Sequence, residues 1–65
     1  MELNAGSIAG KIWTALSGTE GLTNKQVKRL TKLIDKELFL GLGWLLREEK
    51  ITIEEQGKEF FIKLI

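Results

Sequence analysis

Apolar positions recur at helical spacing from Ala5 to Leu16, where Ile8, Ile12, Trp13, Ala15 and Leu16 gather on one side while Lys11 and Thr14 fall on the other. The spacing predicts an amphipathic first helix. Asn4 or Ser7 is its N-cap, and Ser17-Gly18 closes it, because glycine takes the left-handed conformation favoured at a helix C-terminus. Residues 17–21 then form a loop. Thr23 followed three positions later by Gln26 has the capping-box arrangement, so a second helix opens there. Val27, Leu30 and Leu33 or Ile34 give that helix its apolar side, and Lys25, Lys28, Arg29 and Lys32 occupy the opposite one. Leu22, just ahead of the cap, adds one short strand.

Asp35 is the expected N-cap of a third and longest periodic segment, which runs to about Glu49. At 100° per residue Leu38, Leu42, Leu45 and Leu46 share one face with Ile34 and Gly41 beside it, so this face packs on the rest of the domain. Lys36, Leu40, Gly43 and Arg47 point the other way, flanked by Phe39 and Trp44. After Lys50 the period changes to two. Ile51 and Ile53 alternate with Thr52 and Glu54, then Phe60, Ile62 and Leu64 with Phe61, Lys63 and Ile65, which indicates two strands joined through Gln56-Gly57-Lys58. The order α1-β1-α2-α3-β2-β3, with a short connection around Leu33-Ile34 between the second and third helices, is that of an α+β winged helix-turn-helix. Residues 1–65 form a single domain.

Composition narrows the function classes. With 65 residues the chain has room for one core, and a domain of this size buries only about 60% of the surface its unfolded form exposes. Its stability is therefore marginal unless a partner adds to the core, which makes self-association a live expectation. There is no Cys and no His, so disulfides, thiolate sites and the usual zinc, copper and iron ligands are missing, and no metal or cofactor is expected. The commonest general base is gone too, Ser7 and Ser17 have no base to activate them, and the carboxylates Glu48, Glu49, Glu54 and Glu55 do not converge, so the chain is not expected to be an enzyme. No apolar run approaches the ~20 residues of a membrane span, and Met1 to Gly10 lacks the features of a signal peptide, which points to the cytoplasm.

Two runs carry a closer resemblance. Ala9-Gly10-Lys11-Ile12-Trp13 with Leu16, and Leu42-Gly43-Trp44-Leu45 with Arg47-Glu48 and Lys50-Ile51, resemble a small bacterial and archaeal winged helix-turn-helix family of unassigned function. The likeness spans nearly the whole chain. It implies the winged helix fold, a domain of the kind described as a regulator of transcription, and homodimers among some members; it carries over no catalytic residue.

Ten Lys and Arg against nine Asp and Glu leave a net charge of +1, so the distribution of charge has to decide whether nucleic acid is a partner. Lys25, Lys28, Arg29, Lys32 and Lys36 form the strongest electrostatic feature, opposed within that stretch only by Asp35. On a helix-turn-helix these cations lie along the backbone-contacting helix and the start of the recognition helix, where they would neutralise phosphates on duplex DNA. The plainer reading is a solvated helix face. Lys58, beside Gly57, sits where a wing reaches the flanking backbone. Against tight binding, the outward face of the third helix offers Lys36, Glu37, Leu40, Gly43, Trp44 and Arg47, few of which read base edges, and Glu54, Glu55 and Glu59 outnumber Lys58 and Lys63 in the wing.

A helix apolar on both sides must be covered on both sides. Phe39, Leu40, Gly43 and Trp44 therefore form a candidate dimer interface, joined by Trp13 if the first helix lies at the seam; Trp13 alone is otherwise an ordinary core or edge residue. Phe60 and Phe61 are adjacent in a strand, so their rings point to opposite sides. Two functions follow. One is a small DNA-associated regulator that binds duplex DNA mainly through phosphates as a homodimer; the other is a protein-interaction module on the same scaffold without DNA binding.

Overall fold

A computed structural model describes residues 4–65. The elements run α1 (Ala5–Leu16), β1 (Leu22–Thr23), α2 (Asn24–Thr31), α3 (Asp35–Arg47), β2 (Ile51–Gln56) and β3 (Glu59–Leu64). Three helices followed by an antiparallel hairpin, with β1 added to the sheet, make this a winged helix-turn-helix as the order of elements predicts. Asn4 caps α1, its side-chain oxygen accepting from the Ser7 N–H at 2.9 Å. Between Thr23 and Gln26 the capping box is complete. The Thr23 N–H donates to Gln26 Oε1 at 2.9 Å and the Gln26 N–H to Thr23 Oγ1 at 3.2 Å, so two backbone groups that the helix itself cannot satisfy are paired.

Asp35 does not cap α3. Ile34 holds the cap position with an extended backbone, and Asp35 is the first helical residue. Isoleucine has no acceptor to offer, so the start is held from the other side: the Glu37 carboxylate accepts from the Ile34 N–H at 3.1 Å, and Asp35 and Glu37 both sit in the first turn, where negative charge is favoured. The helix stops at Arg47 rather than near Glu49, in a closed turn where the Lys50 N–H donates to the Leu45 carbonyl and the Glu49 N–H to the Leu46 carbonyl. That geometry requires Glu49 at φ 57°, a left-handed conformation in which glycine costs less than any side chain. Glu49→Gly is expected to raise stability by about 0.5–1 kcal/mol, read as a higher midpoint in urea with an unchanged slope.

β3 lies in the centre of a three-stranded sheet ordered β1-β3-β2, with Leu22 opposite Ile62 and Ile53 opposite Ile62 on the other side. Gln56 faces Glu59, so the hairpin closes through two residues, Gly57 and Lys58. The first has φ 64°, as a turn matched to the twist of the strands demands. Ile62 is fully buried with Ile51, and Leu64 and Ile53 pack against them. Phe61 points to the opposite face, where its ring covers the backbone of Gly21. A Cβ there would lie 2.5 Å from Phe61 Cε2, so the close approach depends on glycine.

The core joins Ile8, Ala9, Ile12 and Leu16 of α1 to Val27 and Leu33, to Leu38, Leu42 and Leu45 of α3, and to the sheet through Ile51 and Ile62. Three apolar residues expected to point inward do not. Leu30, Ile34 and Leu46 are 62, 59 and 46% exposed. Lys32 explains the middle one: it ends α2 at φ 60°, so the chain leaves the helical path before Leu33, which turns into the core, and Ile34 is carried outward. Leu30 sits about 60° around α2 from Val27, and Leu46 lies at the end of α3 on the side away from α1.

Candidate nucleic-acid interface

α2 buries only Val27, and this single anchor fixes the helix so that its long polar side faces water. Lys25, Lys28, Arg29 and Lys32 are brought together on that side, lining one shallow depression whose floor is Leu33. The stripe is not all unpaired charge. Lys28 Nζ lies 2.8 Å from the Asp35 carboxylate and Lys25 Nζ lies 3.4 Å from that of Glu59. Both pairs are open to water, where such contacts contribute less than about 1 kcal/mol and yield readily to a stronger anion. Among the described residues Arg29 and Lys32 make no ion pair.

Lys32 holds a left-handed conformation at φ 60°, where a non-glycine residue costs of the order of 1 kcal/mol or more. A cation occupies a position at which glycine would be the more stable choice. Lys36 follows in the first turn of α3, exposed, next to Asp35. Lys58 lies at the hairpin turn, and the hairpin is held against α2: Asn24 Oδ1 accepts from the Phe60 N–H at 3.0 Å, one residue from the Glu59 that meets Lys25. The wing tip therefore adjoins the N-terminal end of the basic helix. Glu59 is the functional neighbour that sequence reasoning missed, since a pair between residues 25 and 59 has no local signature.

The apolar candidates do not form one surface. α3 packs on α1 through Gly41, where an added Cβ would lie 2.5 Å from Ile12 Cδ1 and 2.8 Å from Ile8 Cγ2. Opposite that contact, by helical position, stand Phe39, Gly43 and Leu46 with Lys36 and Arg47 between them and the next flank. Leu40 and Trp44 lie on the flank nearer α1. There Trp44 and Trp13, 45 and 46% exposed, line a groove with Gly6, Ala9 and Gly10, and the Trp44 ring stands 3.9 Å from where a Cβ at Gly6 would be. Thus Trp13 belongs with Trp44, Leu40 lies one turn before Trp44 on the same flank of α3, and Phe39 and Gly43 belong to its outward face. A Cβ at Gly43 would meet nothing within 4 Å, so no neighbour within the chain requires glycine there.

Among the described residues no cluster of three or more acidic side chains could hold a metal ion. No helix there is long and apolar enough to cross a membrane.

Comparison with known proteins agrees with this architecture. A family model described as a winged helix-turn-helix domain (DUF2582) matches residues 1–64. The uncharacterized protein MJ1608 of Methanocaldococcus jannaschii is 35% identical over an alignment of 65 positions, covering 91% of this chain and 87% of that protein. The solution NMR structure of protein BT2368 from Bacteroides thetaiotaomicron is similar with a TM-score of 0.80 and 33% identity, over 92% of this chain and 73% of that one.

Proposed function

The chain belongs to the family of winged helix-turn-helix domains (DUF2582), and on that premise we propose that it is a small non-catalytic regulator of transcription that binds duplex DNA in the cytoplasm as a homodimer, holding mainly phosphates. The observation that carries this reading is the depression lined by Lys25, Lys28, Arg29 and Lys32 on the exposed side of α2; Lys36 is exposed in the first turn of α3, next to the Asp35 that pairs with Lys28. Cations at this spacing neutralise successive phosphates and release their counterions. Lys58, held beside the start of α2 by the Asn24–Phe60 hydrogen bond, adds a contact to the flanking backbone. Base reading is weak, because the outward face of α3 presents Phe39, Gly43 and Leu46 around Lys36 and Arg47. Trp13, Leu40 and Trp44 supply the apolar surface for pairing, with Phe39 and Gly43 on the second face available to the same end.

Titration of the labelled protein with a mixed-sequence duplex, followed amide by amide in NMR, tests this. Shifts clustered at residues 24–37 and near Lys58 that fade as salt rises are expected. Absence of shifts at millimolar duplex would sink the proposal. That outcome would favour a second reading, in which the domain binds protein rather than DNA. Its support is the half-exposed Phe39 and Leu46, an unusual pair on a helix that should face a major groove.

A further inference from the structure

Among the described residues both ion pairs fall on the basic depression of α2, and in each the acid comes from another element. Asp35, the first residue of α3, meets Lys28 at 2.8 Å, and Glu59, the first residue of β3, meets Lys25 at 3.4 Å. Resting on the DNA reading above, we infer that Asp35 and Glu59 are built-in competitors for phosphate: each carboxylate holds one lysine of the depression in the free protein and gives it up when duplex DNA binds. The two acids set the affinity rather than the fold.

Geometry separates these two carboxylates from the other acids. Lys25 and Lys28 lie three residues apart and share one side of α2, so the hairpin and α3 each place a single acid on the same row of cations. Glu59 is anchored there. The N–H of Phe60, its neighbour in the chain, donates to Asn24 Oδ1 at 3.0 Å and fastens the base of the wing to the start of α2, and the Glu59 side chain is the most sheltered of the four. Asp35 sits in the first turn of α3, whose N–H groups favour its charge. Glu54 and Glu55, on the other strand of the wing, make no ion pair among the described residues. Stability gives the two pairs little purpose, because exposed contacts of this kind add little to a fold. Their chemical match to phosphate is closer. A carboxylate oxygen at a lysine amine occupies the place a phosphate oxygen takes, since both are anionic acceptors of the same charge-assisted bond. Binding at Lys25 and Lys28 is therefore an exchange, in which the displaced carboxylate stays tethered nearby and repels the incoming strand. Arg29 and Lys32, which make no ion pair among the described residues, are open to phosphate from the outset.

Anisotropy titrations of a labelled mixed-sequence duplex at low salt, with the full chain, test this exchange. Glu59→Gln and Asp35→Asn are each expected to tighten binding about threefold, and together about tenfold. The gain must depend on the lysine that each acid holds. In a Lys25→Gln chain Glu59→Gln is expected to change affinity by less than about 1.5-fold, and Asp35→Asn likewise in a Lys28→Gln chain. Glu55→Gln makes the same change of net charge on the same hairpin without releasing a lysine, and is expected to tighten binding by less than about 1.5-fold. Thermal melts confirm that each variant is folded, and if Asp35→Asn is not, the cycle of Lys25 with Glu59 decides alone. A parent that binds duplex while Glu59→Gln binds no tighter, or a gain of equal size in the Lys25→Gln chain or at Glu55, overturns the inference and leaves the DNA reading standing. Absence of binding by both the parent and the doubly neutralised chain would overturn the two together.

Discussion

Gly41→Ala and Gly43→Ala, two residues apart in one helix, are expected to change stability in opposite directions. Both gain the better helix propensity of alanine, up to about 1 kcal/mol. At Gly43 nothing offsets that gain, because the added methyl meets no atom within 4 Å. At Gly41 the methyl would enter the core 2.5 Å from Ile12 Cδ1, 2.8 Å from Ile8 Cγ2 and 3.4 Å from the backbone nitrogen of Ala9. Ile12 is fully buried and has no free volume to swing into, and moving Ala9 means moving α1. Overpacking of this kind costs about 1–3 kcal/mol, and a kcal/mol moves the melting temperature of a domain this small by about 4–8 °C. Thermal melts should therefore show Gly43→Ala above the parent and Gly41→Ala below it, with Gly41→Val too strained to fold. Equal melting temperatures for the two alanine variants would mean that α1 and α3 are not in direct backbone approach at Gly41.

The second large effect is electrostatic. Lys28→Glu with Arg29→Glu removes two phosphate partners from the basic depression and replaces them with repulsion. Duplex affinity at low salt is expected to fall by about 100-fold, and the slope of log affinity against log salt to become shallower by about two units. The fold carries a small burden, since the Lys28 pair with Asp35 is exposed and two carboxylates enter the last turn of α2, where each costs about 0.3–1 kcal/mol. Lys28→Gln with Arg29→Gln separates the two contributions, losing the phosphate contacts without repulsion or the added carboxylates. The mass in solution should be unchanged in both variants, because Trp13, Leu40 and Trp44 lie on α1 and α3. Duplex binding that survives the charge reversal would remove α2 from the site.

The elements whose signals are local were legible in the sequence. Thr23 with Gln26 announces α2, Asn4 suits the start of α1, and the switch from period 3.6 to period 2 after Lys50 announces the hairpin. What misled was the assumption that periodicity continues through a turn. Asp35 looked like a cap, but the left-handed Lys32 had already redirected the chain, so Ile34 took that position and the Glu37 carboxylate did the capping from inside the helix. Leu30 and Leu46 are apolar and correctly spaced, yet whether such a residue is buried depends on which neighbour covers that arc of the helix. Of the candidate site, the cations of α2 could be read directly as a stripe. Their pairing with Glu59, and the meeting of Trp13 with Trp44, depend on how the hairpin docks on α2 and α1 on α3, and no local pattern encodes either.

β2 is an open edge of the sheet: its inner side bonds to β3, and its outer backbone groups face water. A six-residue edge is a template on which another strand can grow. Glu54, Glu55 and Gln56 occupy its outer half, while the opposite edge, β1, is only two residues long. The carboxylates that make this wing a poor partner for phosphate thereby act as gatekeepers against strand-to-strand growth. Neutralising them to improve a grip on DNA would leave the longer edge of the sheet without charge against strand pairing.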